Sequence, residues 1–474
     1  MTSAQLTRET RDRMTGYVYI AIAVSTLGGL IFGYDIGISG GAGTFVANDL
    51  GLGAFLQGAV VSGSLLGGMI GALAGGPLAD RFGRRWTLLA SGLIFSLGAA
   101  LSAVAPELGT LLAARVVVGI GVGAAGVIVP VYIAELAPAR VRGALVAGFQ
   151  LLTTLGILVG YAINATLADS EAWRVSLGLA VIPGMLLAFG VLLIPESPRW
   201  LVLKGRIEQA SAVLRRVRGR ENVEHEISEI ESVNSEDTSH RGRWRDLFSG
   251  WVRPMVVAGV LVAFFANGCG INMIVYFAPQ ILQTVGMGSS ASLLATVGLG
   301  VVNVIFTIVG MALVDRVGRR PMLLVGAIGM TVSLAVLAVV LAFPVTDSTA
   351  TISLICLAIY IVVYAVSPGL IAYVVISEIF PLHVRAKATA AATFVIFATN
   401  LIIGVFSLPL LESIGASATL AIFGFVCVLF IIFCVRMPET KGRTLEELEE
   451  HFHAVASKGD LITASTNPTK ADDA

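Results

Sequence analysis

Long apolar stretches dominate the chain, and their length suits a lipid bilayer. An α-helix needs about 20 apolar residues to cross the hydrocarbon core. The first half has six such stretches, at roughly 17–37, 54–78, 86–105, 109–134, 143–167 and 174–194. The second half has six more, at roughly 254–283, 290–314, 321–343, 351–377, 386–411 and 415–435. This pattern predicts an all-α membrane protein with twelve transmembrane helices in two six-helix bundles.

A polar segment separates the two groups of apolar stretches. It contains the charged run RIEQASAVLRRVRGRENVEHEISEIESV and the polar break NSEDTSHRGR. The run is roughly helical in its spacing, which predicts short cytoplasmic helices. We therefore expect a first bundle over 1–195, a cytoplasmic helical linker over 196–252, a second bundle over 253–437 and a cytoplasmic tail over 438–474.

The basic residues predict the orientation in the membrane. Cytoplasmic loops of membrane proteins carry an excess of Lys and Arg. If both termini are cytoplasmic, every Lys and Arg except Arg174 and the intramembrane Arg115 falls on that side. Only 13% of residues are charged, and the 31 basic and 31 acidic side chains balance, so no nucleic-acid partner is expected. The pattern favours a multi-pass protein of an inner or plasma membrane.

Glycines recur every fourth residue in the second apolar stretch, at Gly63, Gly67, Gly71 and Gly75. Residues four apart lie on one face of a helix. Small residues at this spacing permit close helix contact in membranes. The stripe therefore predicts a tightly packed second helix.

The sequence argues against several other functions. Gly121-Val-Gly123-Ala-Ala-Gly126 matches the dinucleotide-binding motif in form, but it lies inside an apolar stretch and follows no strand. No Gly-Lys dipeptide occurs, so a Walker A loop is absent. The five histidines lie outside the apolar stretches, and the four cysteines form no CxxC pair. We expect no enzymatic activity, no cofactor and no metal.

Three sequence signatures occur once in each half. ADRFGRR at 79–85 pairs with VDRVGRR at 314–320, AELAPARVRG with SEIFPLHVRA, and PESPR with PETKGR. Three matched landmarks in the same order predict two similar halves, which is typical of transporters with parallel repeats and alternating access.

These signatures also predict a cytoplasmic gate. Topological anchoring would explain the arginines but not the acids at matched positions. We interpret the charges as ion pairs that hold the cytoplasmic face shut, each worth about 0–1 kcal/mol where exposed. The predicted gate residues are Asp80, Arg84, Glu135, Arg142, Asp315, Arg319, Glu378 and Arg385.

The signatures GYD, RVVVGIGVG, PESPRWL, SEIFP and PET, together with those above, resemble the sugar porter family of the major facilitator superfamily. The resemblance covers residues 16 to about 450. It implies the major facilitator fold and a sugar transporter. A single copy of this fold can transport, so we expect a monomer.

Two charges lie inside the predicted helices, Asp35 and Arg115. Asp35 lies near the outer end of the first helix, and Arg115 lies about 9 Å below the outer end of the fourth. Intramembrane charges are expensive and usually functional, so we predict that the two pair. The alternative is that Asp35 caps a helix at the water interface. The resemblance implies that Asp35 accepts a proton, as the aspartate of this motif does in proton-coupled sugar porters. Facilitative relatives often carry a neutral residue there, so Asp35 favours a symporter.

The resemblance also implies a substrate site on several helices. Five residues match family positions in this site: Phe32, Gln150, Asn272, Tyr276 and Asn303. Other positions depart from the family pattern: Asn267 follows Ala266 where two glutamines are usual, Tyr373 replaces a tryptophan, and Ile157 and Ile396 replace polar residues.

The predicted function is therefore proton-coupled symport of a monosaccharide by alternating access. The main alternative is a facilitative uniporter of a sugar or of a polyol such as inositol. The third possibility is a transporter-like sensor that binds a solute without moving it. The substrate itself, a hexose or pentose in the first instance, cannot be chosen from these residues.

Overall fold

The computed structural model describes residues 16–137, 142–219, 223–228, 230–231, 244–344, 346–381, 384–439 and 441. These residues form helices and contain no β-strand. In the first half the helices are α1 (Gly16–Leu50), α2 (Ala54–Phe82), α3 (Arg84–Ala103), α4 (Leu108–Leu136), α5 (Arg142–Thr166), α6 (Trp173–Gly178), α7 (Val181–Leu192), α8 (Pro198–Leu203) and α9 (Ile207–Arg218). In the second half they are α10 (Val252–Gly268), α11 (Ile271–Thr284), α12 (Ser289–Val317), α13 (Arg319–Val340), α14 (Asp347–Val366), α15 (Pro368–Ile379) and α16 (Arg385–Arg436), after a 3₁₀ turn at Trp244–Phe248.

Eleven helical segments among the described residues are long and apolar enough to cross a membrane. The last of them lies within α16, whose 52 residues would extend about 78 Å as one straight helix. That is more than twice the thickness of the hydrocarbon core. A backbone break at Gly415, with φ 82° and ψ 164°, divides α16 into two spans, in keeping with a twelve-helix fold.

Three of the spans consist of two helices each, and the sixth is α6 followed by α7. The seventh contains α10 and α11 and breaks at Cys269 and Gly270, where Gly270 has φ 94°. The tenth contains α14 and α15 and breaks at Ser367, directly before Pro368. Broken helices leave backbone groups without helical partners, and such backbone is tolerated at membrane depth only inside protein or beside water.

The chain divides into two compact units, residues 1–51 with 59–240, and residues 52–58 with 241–474. Within the first unit, α8, α9 and the segment after them form a small apolar cluster around Trp200, Leu214 and Ile227. The four domain ranges given above, including the linker and the tail, stay predictions.

The glycine stripe of α2 packs against α4. A Cβ at Gly67 would overlap the carbonyl oxygen of Val116, and one at Gly71 would overlap that of Ile120. α1 packs on α5 in the same way, since a Cβ at Gly33 would overlap the carbonyl oxygen of Thr153. Because glycine has no side chain, the backbones come into direct contact in both helix pairs, α2 with α4 and α1 with α5.

We expect Gly67→Ala to lower the thermal unfolding temperature of the detergent-purified protein. The added methyl has no space, and overpacking costs about 1–3 kcal/mol. Gly76→Ala is the matched control on the same helix, because no described atom lies within 4 Å of its added Cβ. Equal unfolding temperatures for the two variants would contradict the packing argument.

Candidate functional site

A buried ion pair joins α1 and α4, and Asp35 lies within α1, which continues to Leu50, rather than near its outer end as expected. Arg115 Nη1 donates to Asp35 Oδ1 at 2.7 Å. Asp35 is 5% exposed and Arg115 is 2% exposed. Among the described residues this is the one hydrogen bond that the carboxylate makes, so its second oxygen, Oδ2, has no donor. The pair therefore has an acceptor atom on which a proton can bind.

The rest of the Arg115 guanidinium is held by neutral groups. Nη2 donates to Ser39 Oγ and, at 3.2 Å, to Ser64 Oγ. Nε donates to the carbonyl oxygen of Val60 at 3.3 Å. Sequence reasoning missed both serines. Ser39 lies four residues after Asp35 and so on the same helix face, but nothing in the sequence indicates that Ser64 lies beside Arg115.

Three predicted substrate residues lie in the first unit. Gln150 and Ile157 are seven residues apart, which places them on one face of α5. Gln150 is partly exposed, whereas Ile157 is 7% exposed. Phe32 on α1 is partly exposed.

The remaining predicted substrate residues lie in the second unit. The break at Gly270 separates Asn267, at the end of α10, from Asn272 and Tyr276 on α11. Asn303 on α12 is partly exposed, and Tyr373 on α15 is 46% exposed.

An amide that was not predicted lies one helical turn after Ile396. Ile396 is buried and apolar, and Asn400 Nδ2 donates to Asn267 Oδ1 at 3.1 Å. Asn267 Nδ2 in turn donates to the carbonyl oxygen of Ala263 at 2.9 Å. Asn400 is 4% exposed, and its Oδ1 has no partner among the described residues. A buried acceptor without a donor is rare in folded proteins, so Asn400 is a candidate ligand-binding residue.

The predicted gate charges of the first unit are in contact. Arg84 binds both oxygens of Glu135, with Nε to Oε2 and Nη2 to Oε1 each 3.1 Å. Arg84 Nη1 also lies 3.1 Å from Asp80 Oδ1, whose side chain is 72% exposed. The side chain of Arg142 lies outside the described residues.

The second unit repeats this pairing. Arg319 Nη2 donates to Glu378 Oε1 at 2.9 Å. Arg385 Nε donates to the carbonyl oxygen of Phe380 at 3.2 Å. The side chain of Asp315 lies outside the described residues.

Glu196 and Glu439 complete the two clusters. Glu196 Oε1 accepts the backbone N–H groups of Arg84, Arg85 and Ser197 at 2.9, 3.1 and 2.9 Å. Glu439 accepts those of Arg319 and Arg320 at 2.9 and 3.0 Å. Each acid thus satisfies the first N–H groups of a helix, which lack helical partners. Both belong to repeated signatures, PESPR and PETKGR, and that repetition was the available sequence signal.

Burial raises the pKa of Glu196, while hydrogen bonds from Ser197, Arg85 and Arg84 oppose the shift.

The second arginine of each signature, Arg85 or Arg320, binds carbonyl groups at the C-terminal end of a neighbouring helix, α7 or α16. Arg85 donates to the carbonyl oxygens of Val191 and Leu192 at 3.2 and 2.6 Å. Arg320 donates to those of Cys434 and Val435 at 3.2 and 2.6 Å.

Comparison with known proteins shows the family of the chain. The family described as sugar (and other) transporter matches residues 21–452. YwtG of Bacillus subtilis is 43% identical over 428 residues, 90% of this chain and 93% of that protein. The D-xylose transporter of Levilactobacillus brevis is 39% identical over 447 residues, 94% of this chain and 97% of that protein.

A solved structure covers nearly the whole chain. The proton:xylose symporter XylE from E. coli, bound to 6-bromo-6-deoxy-D-glucose, matches with a TM-score of 0.79 and 30% identity, over 93% of this chain and 100% of that chain. The likeness therefore includes both halves of the fold.

We expect Glu196→Ala to lower the unfolding temperature measurably, because three backbone N–H groups lose their acceptor. An unsatisfied buried group costs about 1–3 kcal/mol. Glu196→Gln keeps an acceptor oxygen and should lose much less. If both variants lose stability equally, the charge rather than the acceptor atom stabilises this cluster.

Proposed function

The chain belongs to the sugar (and other) transporter family of the major facilitator superfamily, and we propose that it couples proton movement to the uptake of a monosaccharide. The buried Asp35–Arg115 pair carries this proposal. A sugar is neutral, so its uphill transport needs a second gradient. An acid that can bind and release a proton is the group through which a proton gradient acts.

Proton binding changes the free energy of the pair. The carboxylate attracts the guanidinium, while burial of both charges costs desolvation energy. A proton that binds Asp35 removes one charge and weakens the contact, so α1 and α4 can change their packing. Coupling by alternating access then requires that the carrier changes sides when it is empty or fully loaded, and does so poorly when it holds the proton or the sugar alone.

The candidate ligand residues suit a hydroxylated solute. Amides both donate and accept hydrogen bonds, and Gln150, Asn272 and Asn303 provide them. The unpartnered Oδ1 of Asn400 adds an acceptor for a substrate hydroxyl. A hexose or pentose fits best, and the D-xylose transporter and XylE are named for a pentose. The apolar Ile157 and Ile396 keep inositol or another polyol as the alternative.

We further propose that the protein works as a monomer in the cell membrane, with both termini in the cytoplasm. Large apolar side chains on the outer faces of the helices support the contact with lipid. Phe189, Leu97 and Val325 are 62%, 56% and 66% exposed. Apolar side chains exposed in such number need a lipid environment.

We expect Asp35→Asn to abolish accumulation of sugar against its gradient and to preserve counterflow exchange. The amide cannot take up the coupling proton, whereas exchange needs no net proton movement. Uptake and counterflow of radiolabelled sugar in proteoliposomes, with and without an imposed pH gradient, measure the two activities.

Asp49→Asn is the matched control, because Asp49 lies on the same helix and binds Arg174 at 3.1 Å with its side chain 49% exposed. It should accumulate sugar normally. Accumulation by Asp35→Asn would refute the coupling role of Asp35, whereas wild-type uptake that ignores the pH gradient would favour the facilitative uniporter.

Gln150→Ala should weaken substrate binding at least about tenfold, the loss expected from one or two hydrogen bonds to a bound ligand. A thermal-shift screen of pentoses, hexoses and polyols first identifies a ligand, and titration then measures its Kd. Gln209→Ala, on the exposed face of α9, is the control. An unchanged Kd would mean that Gln150 only packs.

A further inference from the structure

Ser39 and Ser64 hold one arm of Arg115, and their role goes beyond packing. We propose that these serines are positioning residues for proton coupling: they keep Arg115 Nη2 away from Asp35, so the guanidinium binds a single carboxylate oxygen and leaves the other oxygen open to the coupling proton. The inference rests on the proposed proton symport and concerns the same site.

The geometry of the guanidinium supports this division. Nη1 donates to Asp35 Oδ1 at 2.7 Å, whereas Nη2 donates to Ser39 Oγ and Ser64 Oγ. Arginine and carboxylate groups commonly form two parallel hydrogen bonds. The same chain does so at Arg84 and Glu135, where both distances are 3.1 Å. The buried pair is therefore single where the Arg84–Glu135 pair is double, and the serines occupy the donor that a second bond would use.

A single bond favours proton uptake in two ways. Asp35 Oδ2 has no donor among the described residues, so a proton can bind there without displacing a hydrogen bond. Arg115 also keeps Ser39, Ser64 and the carbonyl oxygen of Val60 as partners when Asp35 becomes neutral. The large cost of a buried charge without partners is thus avoided.

Few other titratable groups can affect Asp35. Within the apolar parts of the helices of the first bundle, Asp35 and Arg115 are the only charged residues in the sequence. The phenol of Tyr34 on α1 donates to the carbonyl oxygen of Ser176 on α6 at 3.0 Å, and α5 contributes the phenol of Tyr161. Both phenols are neutral near pH 7. Among the described residues, Arg115 is therefore the charged group that contacts Asp35.

The test is the external pH at which proton-driven sugar uptake is half-maximal. In Ser39→Ala/Ser64→Ala, Nη2 is free to bind Asp35 Oδ2. The proton must then displace a second charge-assisted bond, so the midpoint should move to about fivefold higher proton concentration. Each single alanine variant should lie between the wild type and the double variant.

Two controls isolate the hydroxyl groups. Ser64→Thr keeps the hydroxyl and should keep the wild-type midpoint. Ser62→Ala removes a buried serine on the same helix whose Oγ has no partner among the described residues, and it should also leave the midpoint unchanged. Counterflow exchange confirms that each variant is folded; if the double variant fails this check, the single variants decide.

The outcomes separate this inference from the proposed function. If wild-type uptake ignores the pH gradient, proton symport itself is wrong. If uptake is proton-driven and Asp35→Asn is uncoupled, but the alanine variants show an unchanged or more alkaline midpoint, symport stands and the positioning role is wrong. An acid shift in the alanine variants that Ser64→Thr does not show supports the inference.

Discussion

A charge inside a bilayer must find its partners within the protein, and the Asp35–Arg115 pair shows how closely the helices must approach to supply them. Arg115 binds groups on α1 and on α2. Gly63 lies directly over the Arg115 side chain, since a Cβ there would be 3.1 Å from Arg115 Cβ. One turn later on α4, a Cβ at Gly119 would overlap the carbonyl oxygen of Ser64. The glycines thus bring α2 near enough for Val60 and Ser64 to bind the guanidinium, and packing and charge satisfaction are one requirement.

The two arginine–carboxylate clusters, around Glu196 and around Glu439, meet a different requirement, that of helix ends. Each cluster contains an acid that accepts the first N–H groups of a helix, Glu196 for α3 and Glu439 for α13. Each contains an arginine that donates to the last carbonyl oxygens of the sixth or twelfth span. Helix ends leave these groups unsatisfied, so the repeated signatures supply an acceptor at one end and a donor at the other. The signatures recur in the sequence because helix ends in both units have the same unsatisfied N–H and C=O groups.

Much of the fold could be predicted because bilayer thickness fixes helix length. The apolar stretches predicted the spans, although α16 is continuous apart from Gly415. The two intramembrane charges were also predicted to pair, and the structure pairs them, although α1 extends to Leu50 and Asp35 does not lie near its end. Ser39, Ser64 and Asn400 were missed, since which hydroxyl or amide reaches a partner depends on helix crossing and rotation. The family pattern directed attention to Ile396, whereas the buried amide is one turn away at Asn400.

The two kinds of arginine–carboxylate pair differ in what opposes their separation. At the gate, Arg84 and Glu135 are joined by two bonds, and the adjacent Asp80 side chain is largely exposed. The side chains of Arg84 and Glu135 are themselves only 9% and 8% exposed, so the Asp80 contact is the one that water can replace, and an exposed ion pair of that kind contributes about 0–1 kcal/mol. Among the described residues Arg115 has no such exposed charged partner, since it is 2% exposed and the carboxylate it binds, on Asp35, belongs to a residue that is 5% exposed. Separation there is feasible only if the charge on Asp35 is neutralised and the arginine keeps other acceptors, and Ser39, Ser64 and Val60 are those acceptors.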